Sequence, residues 1–292
     1  MKPAIFSYHR PSSLDEALSL LGELGSRARI LTGGQSLAPM LNLRLARPEH
    51  IIDLNDLTEF SFVRDLGESI GVGGLTRHYQ LAESCFLQKY CPLVPLAAKT
   101  IGHYAIRQRG TLGGSLANAD PVAQLPLIAI VLDAQLTLAK NGGRRDMAVS
   151  EFFQAAMTTA LAPEELILSV HFPNFQPNEA GSFRLFARRH GDFAIVSVAA
   201  TVTLQEGHVK RIRLALGGIG AVPVRVDSLV HQFTGLRPTV QWAQEVADAV
   251  GHGVQPQDDE RIPAAYKKEL ARSLTLRAVL RTLEKLGVTT HE

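Results

Sequence analysis

The 292-residue chain has two cysteines, Cys85 and Cys91. An iron–sulfur cluster takes about four cysteine ligands and a thiolate-rich zinc site a similar number, so any cluster has to sit on another chain. A protein of this size from an oxidising compartment usually carries more, and both cysteines are expected as free thiols. Excess charge is missing too: 30 Lys and Arg stand against 28 Asp and Glu, a formal +2 with no basic run. That surplus is too small to track a nucleic-acid backbone. No apolar stretch approaches the roughly 20 residues that span a bilayer, and residues 1–10 lack the apolar core of a signal peptide. The expected compartment is the cytoplasm. No Gly-x-Gly-x-x-Gly follows a strand and no glycine loop ends in Gly-Lys-Ser/Thr, which removes support from a Rossmann site and a P-loop. His78, His103 and His190 lack the spacing of a metal-binding helix, so no metal is expected. Asp120 and Asp192 form no paired-carboxylate or Ser-His-Asp pattern in sequence order.

What is present is ordinary globular material, 46% hydrophobic and 20% charged. At about 150 residues per domain, this length predicts two domains. Ser13 and Glu16 have capping-box spacing, and Leu14, Ala17, Leu18 and Leu21 continue it as an amphipathic helix. Ala28 to Leu31 reads as a buried strand broken by Thr32-Gly33-Gly34-Gln35-Ser36, then a short helix over Leu37 to Leu45 and a strand over Ile51 to Leu54. Two short strands around Asp65-Leu66-Gly67 follow, then helices over Gln80 to Phe86 and Leu93 to Ile101. A second glycine loop is expected over Arg107 to Ser115, ahead of a buried helix from Val122 to Leu132. Leu166 to Phe172 reads as a strand, and the segment Pro173 to Gly181, with its prolines, asparagines and glycine, predicts the domain boundary. Beyond it come a strand near Phe183, a hairpin turning at Glu206-Gly207, a turn at Gly217 to Gly220, and helices over Val240 to Val250 and Ala264 to Leu286.

Chemistry is carried by the paired glycines. A diphosphate crowds negative charge onto its oxygens, and a glycine turn offers it backbone N–H groups with no Cβ in the way. Gly33-Gly34 and Gly113-Gly114 both predict that geometry, with Ser36, Thr111 and Ser115 adding uncharged hydroxyl donors. Taken singly, each pair is an ordinary turn; together they suggest two loops serving one ligand.

Their flanks narrow the choice. Thr32 to Met40 with Leu43 to Glu49, then Arg109 to Pro121, then Ala187 to Ala194, resemble three ordered signatures of the FAD-binding medium subunits of molybdenum hydroxylases. Carbon monoxide dehydrogenase medium chains and xanthine dehydrogenase FAD subunits belong to this family. The resemblance implies an α+β fold: a PCMH-type, vanillyl-alcohol-oxidase-like FAD domain over residues 1–176, with subdomains of about 1–57 and 58–176, and a small α/β domain over 177–292.

It also implies cofactor contacts at Thr32, Gly33, Gly34, Gln35 and Ser36, which would hold the diphosphate, and at Thr111, Leu112, Gly113, Gly114 and Ser115 from the other subdomain. Backbone donors are expected to dominate, with no phosphate role for Arg44 or Arg47. Gln124 stands where relatives commonly have an acidic residue, Ile167 where they place an aliphatic backbone contact to the flavin ring, and Arg184 near where some have a lysine beside it. No catalytic side chain is expected. The implied role is electron transfer: a small iron–sulfur subunit passes electrons from a large molybdopterin subunit to FAD on this chain, and an external acceptor receives them. The alternatives are an autonomous FAD-dependent oxidase or dehydrogenase of the same fold, and a nucleotide-binding module without redox function.

Overall fold

In the computed structural model, which describes residues 2–259 and 262–289, helices and strands alternate and gather into three principal sheets. The expected domain ends at residues 1 and 292 lie outside this range. The first sheet is parallel, with His50–Asp53 between Ser7–His9 and Ala28–Leu31. Parallel neighbours need crossover connections, and the helices Leu14–Leu24 and Leu37–Asn42 lie in them. Ser13 accepts the Glu16 N–H as the capping pattern predicts, while the Glu16 carboxylate returns to the Ser12 N–H at 2.8 Å, one residue earlier than in the standard box. Leu37–Asn42 is shorter than expected because Arg44 turns to φ 59°, outside the helical region.

The second sheet is antiparallel, ordered Val63–Asp65, Ser69–Gly73, Leu166–Pro173, Gln135–Lys140, Gly143–Ala148. A group of short helices covers it. The single helix expected over Gln80 to Phe86 is two, His78–Glu83 and Cys85–Tyr90, because Ser84 leaves the helical region and caps the second through the Leu87 N–H. Gln124–Val131 is buried along its whole length.

The third sheet, Glu179–Phe186, Val196–Gln205, His208–Gly217 and Val224–Arg225, is an antiparallel meander. Its central hairpin turns at Glu206 and Gly207, both at positive φ (53° and 76°), the conformation of a tight two-residue hairpin turn. Val198, Ala200 and Val202 pack with the helices Val240–Gly253 and Ala264–Lys285, while Phe183, Ala199 and Ala215 join the core of the second lobe, the second sheet with its helices; the first sheet with its two helices is the first lobe. A smaller core joins Leu18, Leu21 and Ile52 of the first lobe to Ala139, Leu166 and Leu168 of the second. Each fully buried aliphatic side chain contributes roughly 1.5–3 kcal/mol, so the lobes are fixed by packing before any polar contact is counted. Cys85 is exposed and Cys91 buried, both as free thiols.

Candidate functional site

The strand Ala28–Leu31 delivers the chain to the edge of the first lobe, where Gly33 and Gly34 turn it into the helix Leu37–Asn42. Gly34 sits at φ 70°, a conformation that strains any residue with a Cβ. The Gln35 side chain folds back and donates to the Gly33 carbonyl at 3.0 Å. Among the described residues, the backbone N–H groups of Gly33, Gly34, Gln35 and Ser36 donate to no protein acceptor. Four successive free donors on a glycine turn form a concave anion receptor of the kind that holds phosphate oxygens.

The second glycine pair departs from expectation. It is no loop: Thr111 is the N-cap of the helix Leu112–Asn118, and Gly113 and Gly114 lie in its first turn. Their donors are already used, Gly113 N–H by the Gly74 carbonyl at 2.8 Å and Gly114 N–H by the Thr111 hydroxyl at 3.2 Å, while the Ser115 N–H goes to the Thr111 carbonyl. Gly113 and Gly114 therefore do not offer the free main-chain donors that the first turn does. The second pair contributes closeness instead. A Cβ on Gly113 would lie 2.8 Å from the Gly74 carbonyl oxygen, and one on Gly114 2.9 Å from the Thr32 hydroxyl.

The two segments do meet. Thr32 Oγ1 and Thr111 Oγ1 are 2.9 Å apart, and a Cβ on Gly33 would fall 2.4 Å from the Arg109 carbonyl oxygen. Ile167 belongs to the same stack, since a Cβ on Gly74 would lie 2.3 Å from its carbonyl oxygen, beside a bulge between Ile167 and Ser169. Gln124 begins its helix in a buried position, and its side chain makes no hydrogen bond among the described residues. Leu112 is fully buried and packs in the core. Arg184 lies elsewhere: strand alternation turns Phe183 and Leu185 toward the second lobe and places Arg184 with Arg277, Leu280, Arg281 and Glu284 around a hollow of about 500 Å³ on the C-terminal helix. Arg44 and Arg47 are exposed and donate to the Lys2 and Arg44 carbonyls. Asp120 closes a turn by accepting the Val122 N–H at 3.0 Å.

Sequence reasoning overlooked the polar seam around the turn. Asn55 Nδ2 donates to the Thr32 carbonyl at 3.0 Å and to Asp53 Oδ1, and Asn55 Oδ1 accepts from Arg77 Nη2 at 2.5 Å. Burial acts to raise the Asp53 pKa, but hydrogen bonds from Tyr8 and from the Asn55 backbone and side chain outweigh it and hold the carboxyl below its ordinary value. His78 donates from Nε2 to the Thr111 carbonyl at 3.0 Å, and burial, with Arg77 and Arg107 nearby, lowers its pKa to about 4 despite that bond. A third glycine pair, Gly73-Gly74 at the end of a strand, was the available signal for this side of the junction.

Residues 4–175 match the family of the FAD binding domain in molybdopterin dehydrogenase, and residues 181–282 match the CO dehydrogenase flavoprotein C-terminal domain. The chain is 34% identical to the 6-hydroxypseudooxynicotine dehydrogenase complex subunit alpha of Paenarthrobacter nicotinovorans, over 98% of this chain and 97% of that one. It is also 34% identical to the carbon monoxide dehydrogenase medium chain of Hydrogenophaga pseudoflava, over 96% and 97%. A solved carbon monoxide dehydrogenase from the same organism, lacking the Mo-pyranopterin moiety of its molybdenum cofactor, superposes with a TM-score of 0.93 over 98% of this chain and 99% of that chain, at 34% identity.

Proposed function

We propose a role that proceeds from one premise: the chain belongs to the FAD-binding medium subunits of the molybdopterin hydroxylases, the family of carbon monoxide dehydrogenase medium chains and xanthine dehydrogenase FAD subunits. It is a mixed α+β flavoprotein subunit of a multi-subunit oxidoreductase. No helix among the described residues is long and apolar enough to cross a membrane.

The finer reading is that the diphosphate of FAD rests on the first glycine turn, with the hydroxyls of Thr111 and Ser115 and the Gln124 amide serving it from the second lobe. The observation that carries this is the run of four free N–H donors from Gly33 to Ser36 at the lobe junction. When bound, FAD supplies both one- and two-electron redox chemistry, and the protein positions it. A small iron–sulfur subunit would supply electrons from a large molybdopterin subunit, and an external acceptor would remove them, in the cytoplasm. This chain holds two cysteines, too few for a cluster of its own. Arg184, which lines the hollow with Arg277 and Arg281, is left out of the proposed flavin contacts.

The test is expression of the chain alone. Purified protein should take up FAD with flavin absorption bands and oxidise no aldehyde or N-heterocycle. Turnover without partner chains would favour the autonomous enzyme, and absence of flavin bands after FAD addition would overturn the reading.

A further inference from the structure

We propose that Arg77 is a positioning residue that fixes the first glycine turn from across the lobe boundary, an inference that rests on FAD binding at that turn. Arg77 begins the helical layer of the second lobe, where it pairs with Thr111 in an isolated bridge. One arm of its guanidinium donates to the Arg109 carbonyl. The other donates to Asn55 Oδ1 of the first lobe at 2.5 Å.

Those two acceptors bracket Gly33. Asn55 passes the contact on through Nδ2 to the Thr32 carbonyl, 3.0 Å away. In a trans peptide the carbonyl oxygen and the following N–H point in opposite directions, so holding Thr32 O toward Asn55 turns the Gly33 N–H away from it, into the receptor. The Arg109 carbonyl is the group Gly33 rests against, with an ideal Cβ only 2.4 Å from its oxygen. A single planar fork thus sets both the rotation of the Thr32–Gly33 peptide and the wall beside it. Asn55 is committed throughout, its Nδ2 and backbone N–H also meeting Asp53 Oδ1 at 2.5 and 2.9 Å. Lysine cannot reproduce this, because an ammonium is a point donor without the fixed fork.

The experiment is FAD titration of the full-length chain stripped of flavin, read by quenching of flavin fluorescence, with thermal melting of the flavin-free protein alongside. Arg77→Met should raise the FAD Kd tenfold or more while the flavin-free melting temperature moves by no more than about 3 °C. Arg77→Lys should recover only a minor part of the loss. Asn55→Ala combined with Arg77→Met should bind no worse than Arg77→Met alone, because the two act in series. A Kd within twofold of the unaltered chain in Arg77→Met overturns the proposal, as does full recovery by Lys, which would reduce the role to charge, or multiplicative losses in the double variant. Should Arg77→Met not fold, Arg77→Lys decides: a Kd raised at least threefold supports the fork and an unchanged one overturns it. Failure of the unaltered chain to take up FAD sinks the underlying reading, an outcome separate from any difference between variants.

Discussion

The hydroxyls of Thr32 and Thr111 stand 2.9 Å apart across 79 residues of sequence, one at the mouth of the first-lobe turn and the other at the cap of a second-lobe helix. Thr111 Oγ1 also accepts the Gly114 N–H, so a single oxygen joins the lobes and starts the helix. Thr111→Val keeps the shape and deletes both bonds. It should lower unfolding stability in urea by about 1–2 kcal/mol, the usual range for a lost threonine cap, and Thr111→Ser should restore most of it.

Gly33 and Gly22 predict opposite signs for the same substitution. A methyl on Gly33 meets backbone at 2.4 Å, which no side-chain rotation relieves, whereas one on Gly22, inside the helix Leu14–Leu24, meets nothing within 4 Å. Gly33→Ala should cost about 1–3 kcal/mol, as overpacking does, and weaken FAD uptake. Gly22→Ala should gain about 0.5–1 kcal/mol from helix propensity and leave uptake alone. Chemical denaturation and flavin titration of both variants check this.

The Gly33-Gly34 turn was readable in the sequence because its conformation is local: a strand ends, glycines follow, and a short helix begins. The hairpin at Glu206-Gly207 was readable for the same reason. Gly113-Gly114 has the same composition and a different geometry, since its N–H groups are consumed by Thr111 and by Gly74, a residue 39 positions earlier that no local pattern connects to it. Arg77, Asn55 and Arg109 meet only through the packing of two lobes, so nothing in their spacing marks them as one seam. The side on which Arg184 stands follows from strand alternation: its neighbours Phe183 and Leu185 are the apolar positions that face the second lobe, and a strand presents only alternate residues to one side.

A buried ion pair inside the third sheet also reaches the second lobe. Arg213 is 6% exposed and donates to Glu179 at 3.1 Å and to Asp133 of the second lobe at 3.3 Å. Glu179→Ala leaves the buried guanidinium with the half-exposed Asp133 as its nearest carboxylate, beside the Val131 carbonyl at 3.4 Å, and should cost about 3 kcal/mol. Arg213→Met leaves the more deeply buried Glu179 carboxylate with Arg211, at 4.0 Å, as its nearest cation and should cost a similar amount, whereas replacing both charges, Glu179→Leu with Arg213→Met, should cost clearly less than either single change. Thermal denaturation of the three variants checks this, and a double variant more destabilised than either single one would show that the buried charges are not what sets these costs.

His78 should make stability fall with pH well above the range where carboxylates titrate. Its ring is buried and neutral, with the proton on Nε2 facing the Thr111 carbonyl and Nδ1 without a partner among the described residues, and its pKa is lowered from 6.5 to about 4. The folded state therefore disfavours the charged ring. Its full contribution is present above the ordinary histidine pKa, and as pH drops below 6.5 the unfolded chain takes up a proton that the folded chain refuses. By linkage the loss between pH 7.5 and 5 is on the order of 2 kcal/mol, and it levels off once the folded ring also protonates near pH 4. His78→Gln removes the titrating group, so urea unfolding of the variant should show a shallower decline over this interval. The nine other histidines contribute equally to both proteins, which makes the difference between the two curves the measure of His78 alone. Parallel curves would mean that the ring gains a proton in the folded chain as readily as in water.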